Sequence, residues 1–223
     1  MDLSAMVGDA FEYTKEALWE KWVRWILLLV SCIIFPLIMG YILEIMRGKK
    51  PAPELKNWGK LFIDGLKMFV IEIIYAIPVI LVILVFGGLA LFGALASAPS
   101  PDYYSMHPER LMPFLGTFFV GLLFAVILAI IISLISIIGI IRFARTDSMG
   151  EAFNFGAILA HIGKIGWISY VVSLIIVFVV ILVVTVIISL IPFIGGFLNF
   201  IIMPAYSIFI YRYLTLIYDS VPA

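Results

Sequence analysis

Trp167 to Leu190 reads WISYVVSLIIVFVVILVVTVIISL and contains no charged side chain. As a helix rising about 1.5 Å per residue it reaches roughly 36 Å, enough to cross a hydrocarbon layer of about 30 Å. Its valines and isoleucines would favour a strand in water. Length overrules that preference, because an unpaired strand would leave its backbone N–H and C=O groups unsatisfied in lipid, at several kcal/mol each. The stretch reads as a transmembrane helix, and its neighbours follow from it.

Downstream, Pro192-Phe193-Ile194-Gly195-Gly196 is too short to hold a domain and must join two antiparallel helices. The partner helix is 197–218, with Pro204, Arg212 and the tyrosines Tyr206, Tyr211, Tyr213 and Tyr218 suited to a headgroup boundary. Upstream, 113–141 and 68–96 are further spans, the latter containing Pro78. The run 25–46 is interrupted by Pro36 and Gly40, and a proline there bends or breaks a helix. Residues 1–22 and 57–67 have apolar side chains at helical spacing among charged ones, as interfacial helices do. The expected architecture is all-α: one membrane domain, 1–223, built as a multi-pass bundle of kinked transmembrane helices (68–96, 113–141, 167–191, 197–218) with amphipathic interfacial helices (1–22, 57–67).

Composition agrees. Hydrophobic residues make up 65% of the chain and charged residues 13%, too few to clothe a water-soluble domain of this length. Net charge is zero, so no global field recruits nucleic acid. Cys32 is the single cysteine, which rules out an intrachain disulfide. The first residues are acidic rather than basic, so no cleaved secretory signal is expected.

Basic residues set the expected orientation. Arg47, Lys49, Lys50, Lys56, Lys60 and Lys67 fill one loop, and Arg142, Arg145 and Lys164 another. Between them, 97–112 carries only Arg110 and the Pro192 turn none. This alternation places the basic loops and the C-terminus on the cytoplasmic face of a cell membrane. Lys15, Lys21 and Arg24 precede the 25–46 run as basic residues follow it, so both flanks favour the inside. A single span would put the N-terminus outside, whereas a re-entrant hairpin broken at Pro36 keeps it inside. The basic loops also have a second reading, attraction of anionic headgroups at about 1 kcal/mol per nearby Lys or Arg.

A weak internal repeat links Trp58 to Gly65 with Ser148 to Gly156, each placing a phenylalanine three residues before a glycine. These same segments carry a resemblance. Pro53-Glu54-Leu55-Lys56-Asn57-Trp58-Gly59-Lys60-Leu61-Phe62-Ile63-Asp64-Gly65-Leu66-Lys67, then Arg142-Phe143-Ala144-Arg145 leading into Ala152-Phe153-Asn154-Phe155-Gly156, and Pro192-Phe193-Ile194-Gly195 together resemble an uncharacterised, mainly archaeal membrane family, domain of unknown function 4013. The likeness covers most of the chain, although the family pattern has more acidic residues where Leu55 and Lys56 stand. It implies a multi-pass membrane protein and no particular activity. The layout is more distantly similar to membrane domains beside glycerophosphodiester phosphodiesterases, but no catalytic domain accompanies it here.

The candidate site is a charge layer. Glu72 lies five residues past Lys67, about 7 Å deeper along a helix, where a charge is costly. It reads either as a proton or cation site or as a paired structural carboxylate. Glu44, Arg142 and Arg212 fall at a similar depth, and pairing of Glu72 with Arg212 or Arg142 would hold helices in register. His107, Asp102 and Glu109 have no ligand spacing and read as a solvated loop. Ser133, Ser136, Ser173, Ser189 and Thr185 lack an activating base, so catalysis is not expected. Phosphate-cradling loops and nucleic-acid motifs are absent, and no cofactor or metal is implied. The sequence therefore predicts a non-enzymatic protein with a structural, lipid-binding or partner-binding role. Its partners would be membrane lipids, another membrane protein or further copies of itself. A small-solute or lipid transporter is the alternative.

Overall fold

The structure, a computed structural model, describes residues 2–97 and 108–222. Eight α-helices form among the described residues, and no strand. They are α1 (Leu3–Leu18), α2 (Trp22–Ile33), α3 (Phe35–Met46), α4 (Trp58–Ser97), α5 (Met112–Thr146), α6 (Phe155–Ile165), α7 (Trp167–Ser189) and α8 (Gly195–Tyr218). Short 3-10 turns at Pro108–Leu111 and Met149–Phe153 precede α5 and α6. Four helices, α4, α5, α7 and α8, are long and apolar enough to cross a membrane. By composition this is a multi-pass membrane protein.

One boundary differs from the sequence expectation. The interfacial helix 57–67 and the span 68–96 are one continuous helix, α4, because nothing between them breaks it. Gly65 lies inside that helix and serves packing. The proposed repeat also diverges here: its first copy opens α4, while its second is a 3-10 turn followed by the separate α6. Pro78 and Pro204 lie within α4 and α8 without ending either helix; a membrane helix tolerates proline where neighbouring groups re-satisfy the freed carbonyl.

The chain forms two compact units, Met1–Ile71 with Ile135–Ala223, and Glu72–Leu134. In the first unit α8 is central and packs against α1, α2, α3 and α7. Its most apolar stretch is 44% buried against 11% in the other three long helices, so α8 is the protein-facing helix of the four. α1 buries Ala10, Tyr13, Ala17 and Leu18, a helical stripe whose alanines permit close approach. Asp2 caps it, Oδ1 accepting from the backbone N–H groups of Ser4 and Ala5, each at 3.1 Å.

Pro36 breaks the apolar run 25–46 into α2 and α3, which pack on each other. Laid end to end, 24 residues of helix would separate their flanks by about 36 Å. Instead the flanks meet: the Tyr13 hydroxyl donates to the Lys49 carbonyl at 2.9 Å, and Arg24 Nη2 lies 3.9 Å from Glu54. α3 is buried almost throughout and crosses α4 with backbones in contact. A Cβ on Gly40 would strike the Leu61 carbonyl, and one on Gly65 the Pro36 carbonyl, so only glycine fits at either position.

The second unit is the later part of α4 with the first part of α5. Phe86 stacks on Phe124 at 6.1 Å between ring centroids, and Gly121 faces the Phe86 side chain. Phe114 similarly covers Gly93. Most other large side chains of this unit are exposed, as befits surfaces facing hydrocarbon.

Candidate functional site

Charged groups gather in the first unit, at helix ends and connecting segments. Glu44, 6% exposed near the end of α3, is ion-paired with Arg47 and Lys49 and lies 3.9 Å from Lys60. Arg47 is a hub: its Nη2 donates to Asp64 of α4 at 2.9 Å and to Asp147, just after α5, at 3.4 Å. Three segments far apart in sequence are thereby tied to one guanidinium.

Arg212 of α8 is 3% exposed and donates from Nε to Asp9 of α1 at 2.7 Å. Its guanidinium lies 4.8 Å from the Tyr13 ring centroid, one turn after Asp9 on the same face of α1. Lys50 pairs with the other Asp9 oxygen at 2.6 Å. Burial raises the Asp9 pKa, but the hydrogen bonds from Arg212 and Lys50 outweigh it, and the carboxyl titrates below its ordinary value. Arg142 pairs with Glu151 of the following 3-10 turn.

The C-terminal end of α8 is clamped by its own set. Arg145 donates to both oxygens of Asp219 at 2.7 Å, and Lys164 to the Pro222 carbonyl at 3.2 Å. His161, 2% exposed, places Nε2 3.0 Å from the Tyr218 carbonyl and stacks on the Tyr218 ring at 4.1 Å. Burial lowers the His161 pKa, Lys164 and Arg142 add to the effect, and the Tyr218 carbonyl opposes it.

Three residues of the expected charge layer, Glu44, Arg142 and Arg212, lie in the first unit, and each is paired there with a residue from outside the set. Arg212 and Arg142 hold Asp9 and Glu151, while Glu72 is half-buried in α4 with no ion-pair partner among the described residues. The physical reason lies in the partners' locations. Asp9 and Glu151 come from surface segments that fold over the ends of the long helices, where pairing costs less desolvation than it would deeper in the membrane. Asp102 and His107 lie outside the described residues.

Sequence reasoning missed Asp9, Asp64, Glu151 and Asp219. Asp9 had a local signal, its i, i+4 spacing to Tyr13 on the apolar stripe of α1; the other three had none.

Beside this network lies a row of clefts. An apolar cleft of about 470 Å³ runs between α1, α2, α7 and α8, walled by Phe11, Trp19, Trp25, Val184, Ala205 and Phe209. A second, of about 560 Å³, is lined by Trp19, Trp22, Trp25, Ile26 and Ile201. Trp25 lines both, and its indole N–H is fixed to the Ile201 carbonyl at 2.8 Å. A third cleft, of about 570 Å³, shares Glu20 and Trp22 with the second and sets the charged side chains of Lys21, Arg24, Glu54 and Lys56 in an otherwise apolar wall. Each volume falls within the roughly 300–1,000 Å³ of small-molecule sites.

A family model described as a protein of unknown function, DUF4013, matches residues 25–193, well over half of the chain. The chain belongs to the DUF4013 family. No curated protein and no solved structure matches it. The matched residues of this DUF4013 protein begin in α2 and end just before α8. Asp9 and Arg212 both fall outside them, as do the α1 and α8 walls of the 470 Å³ cleft.

Proposed function

We propose that this DUF4013 protein is a non-enzymatic membrane protein that binds lipid, seating the hydrocarbon of a membrane lipid in the apolar clefts beside Trp25. The carrying observation is the 470 Å³ cleft, whose wall is built from aromatic and aliphatic side chains of four helices. Trp19 and Trp25 border it and Trp22 joins them in the neighbouring apolar cleft, and tryptophan favours the depth where lipid chains meet headgroups.

The basic loops and the C-terminus face the cytoplasm in this reading, and residues 22–46 re-enter from that side. Support comes from the contacts that join α1 to the segment after α3: Asp9 with Lys50, Tyr13 with Lys49, and Arg24 with Glu54. They keep the N-terminal helix with the most basic loop and satisfy the charge bias on both flanks. Impermeant labelling of a cysteine at Ser4 tests this; labelling from outside the cell would refute it.

The binding reading is tested by purification in native lipid and mass spectrometry of what stays attached. Wild type should retain lipid through detergent exchange, whereas Ala205→Trp, which fills the cleft wall, should release most of it without loss of helix content. Equal retention by both would refute the assignment.

One observation favours the alternative, a small-solute or lipid transporter: Glu72 is a half-buried carboxylate without an ion pair among the described residues, six residues before Pro78 in α4. In that case Glu72→Gln should abolish proton-coupled flux in proteoliposomes while leaving thermal stability unchanged.

A further inference from the structure

The third cleft, next to the apolar pair, supplies what a chain-binding groove lacks, a place for a headgroup. Lys21 and Arg24 enter it from the start of α2, where they also satisfy the carbonyls left open at the end of α1. Lys21 Nζ donates to the Glu16 carbonyl at 2.6 Å and Arg24 Nη1 to the Ala17 carbonyl at 3.2 Å. Lys56 reaches in from the opposite segment. Between these cations stands one carboxylate, Glu54, 2.6 Å from Lys56 and 3.9 Å from Arg24. Its side chain is 57% exposed, so it can swing out into solvent.

We infer that Glu54 occupies the position of an anionic headgroup, and that Lys21, Arg24 and Lys56 select a phosphate-bearing anionic lipid whose chains lie in the apolar clefts. The inference rests on the lipid-binding reading and adds the headgroup class to it. Trp22, common to the third cleft and the neighbouring apolar one, marks the level at which the headgroup gives way to hydrocarbon. With Glu54 turned outward, Glu20 is the one carboxylate left among the residues lining the cleft. A phosphate then regains, from Arg24 and Lys56, the charge-assisted contacts that Glu54 gives up.

The full chain is placed in nanodiscs of equimolar phosphatidylglycerol and phosphatidylcholine with identical acyl chains, then extracted gently for native mass spectrometry. Wild type should retain phosphatidylglycerol over phosphatidylcholine by about fivefold or more, the scale of one nearby cation. Glu54→Gln should raise that ratio. The double variant Lys21→Gln with Lys56→Gln should bring it close to one, with lipid still retained and helix content unchanged. A wild-type ratio of one with lipid still bound would overturn the headgroup assignment and leave the chain-binding reading intact. Absence of retained lipid would overturn both. A preference that survives in the double variant would place the selective cations elsewhere and overturn the inference. Release of the bound species by millimolar inorganic phosphate alone would identify free phosphate as the ligand, against a lipid.

Discussion

The two compact units of this protein hold themselves together by different physics. The unit made of residues 1–71 and 135–223 is stitched by ion pairs between its segments, by contacts of buried tyrosines such as Tyr13 and Tyr218 and by a backbone crossing at Gly40 and Gly65. The unit 72–134 is two helices whose contacts are phenylalanine rings against one another and against glycine. Where short helices and loops meet water, charge-assisted contacts fix which segment lies against which, because a buried arginine without its carboxylate is strongly unfavourable. Within hydrocarbon, lipid is as apolar as leucine, so helix association depends on shape and close packing. Substitutions in the first unit should therefore depend on specific partners, and those in the second mainly on volume.

The largest effect expected from this contrast is at the α3–α4 crossing. Gly65→Ala would force its Cβ into the Pro36 carbonyl, which is held by a helix and cannot step aside. A loss of about 3 kcal/mol or more is expected, as for severe overpacking, read as a large drop in unfolding temperature in detergent. Wild-type stability in that variant would mean the crossing is not a fixed contact.

Next comes Asp9→Asn, which removes the carboxylate from a nearly buried Arg212. The expected cost is about 3 kcal/mol, and Arg212→Met in the same background should recover part of it by withdrawing the stranded charge. Additive loss in the double variant, measured by thermal unfolding, would break the claim that the two side chains act as a pair.

A smaller effect appears with acidity. The folded protein holds the His161 pKa below its ordinary 6.5, so beneath that pH the unfolded chain takes up a proton that the folded one resists. This contribution is complete above pH 6.5 and declines as the pH falls toward the folded value. His161→Gln should flatten that slope, and a slope unchanged between wild type and variant would remove His161 as its source. Asp9, whose pKa is also lowered, loses its contribution in a more acidic window, below the ordinary carboxylate value of 3.8.

The smallest effect belongs to the second unit. A Cβ on Gly87 meets nothing within 4 Å, so Gly87→Ala should be neutral or stabilise by about 0.5 to 1 kcal/mol through helix propensity alone. A clear loss would show that this unit too relies on a specific contact at that face.

How far the sequence could be read depended on the range of the interaction involved. The long helices were legible because each is a local property of its own apolar run. The break at Pro36 was legible for the same reason, since a missing N–H and a ring clash act on the neighbouring turn. The end of the 57–67 segment was misjudged because a change from polar to apolar residues looks like a boundary, yet the backbone passes through it unbroken. Among the candidate residues, the burial of Glu44 and Arg212 could be anticipated from depth, but their partners could not. Asp9 and Arg212 are 203 positions apart, and no local pattern joins them.

From its sequence alone the protein is committed to a membrane and to helices, because in a solvent without hydrogen-bonding groups every amide must be satisfied within its own segment. The tertiary structure alone decides which carboxylate meets which guanidinium, that α3 crosses α4 through two glycines, and that three clefts line up beside Trp22 and Trp25. Those outcomes require segments distant along the chain to approach within a few ångströms, and such proximity is a property of the packed whole.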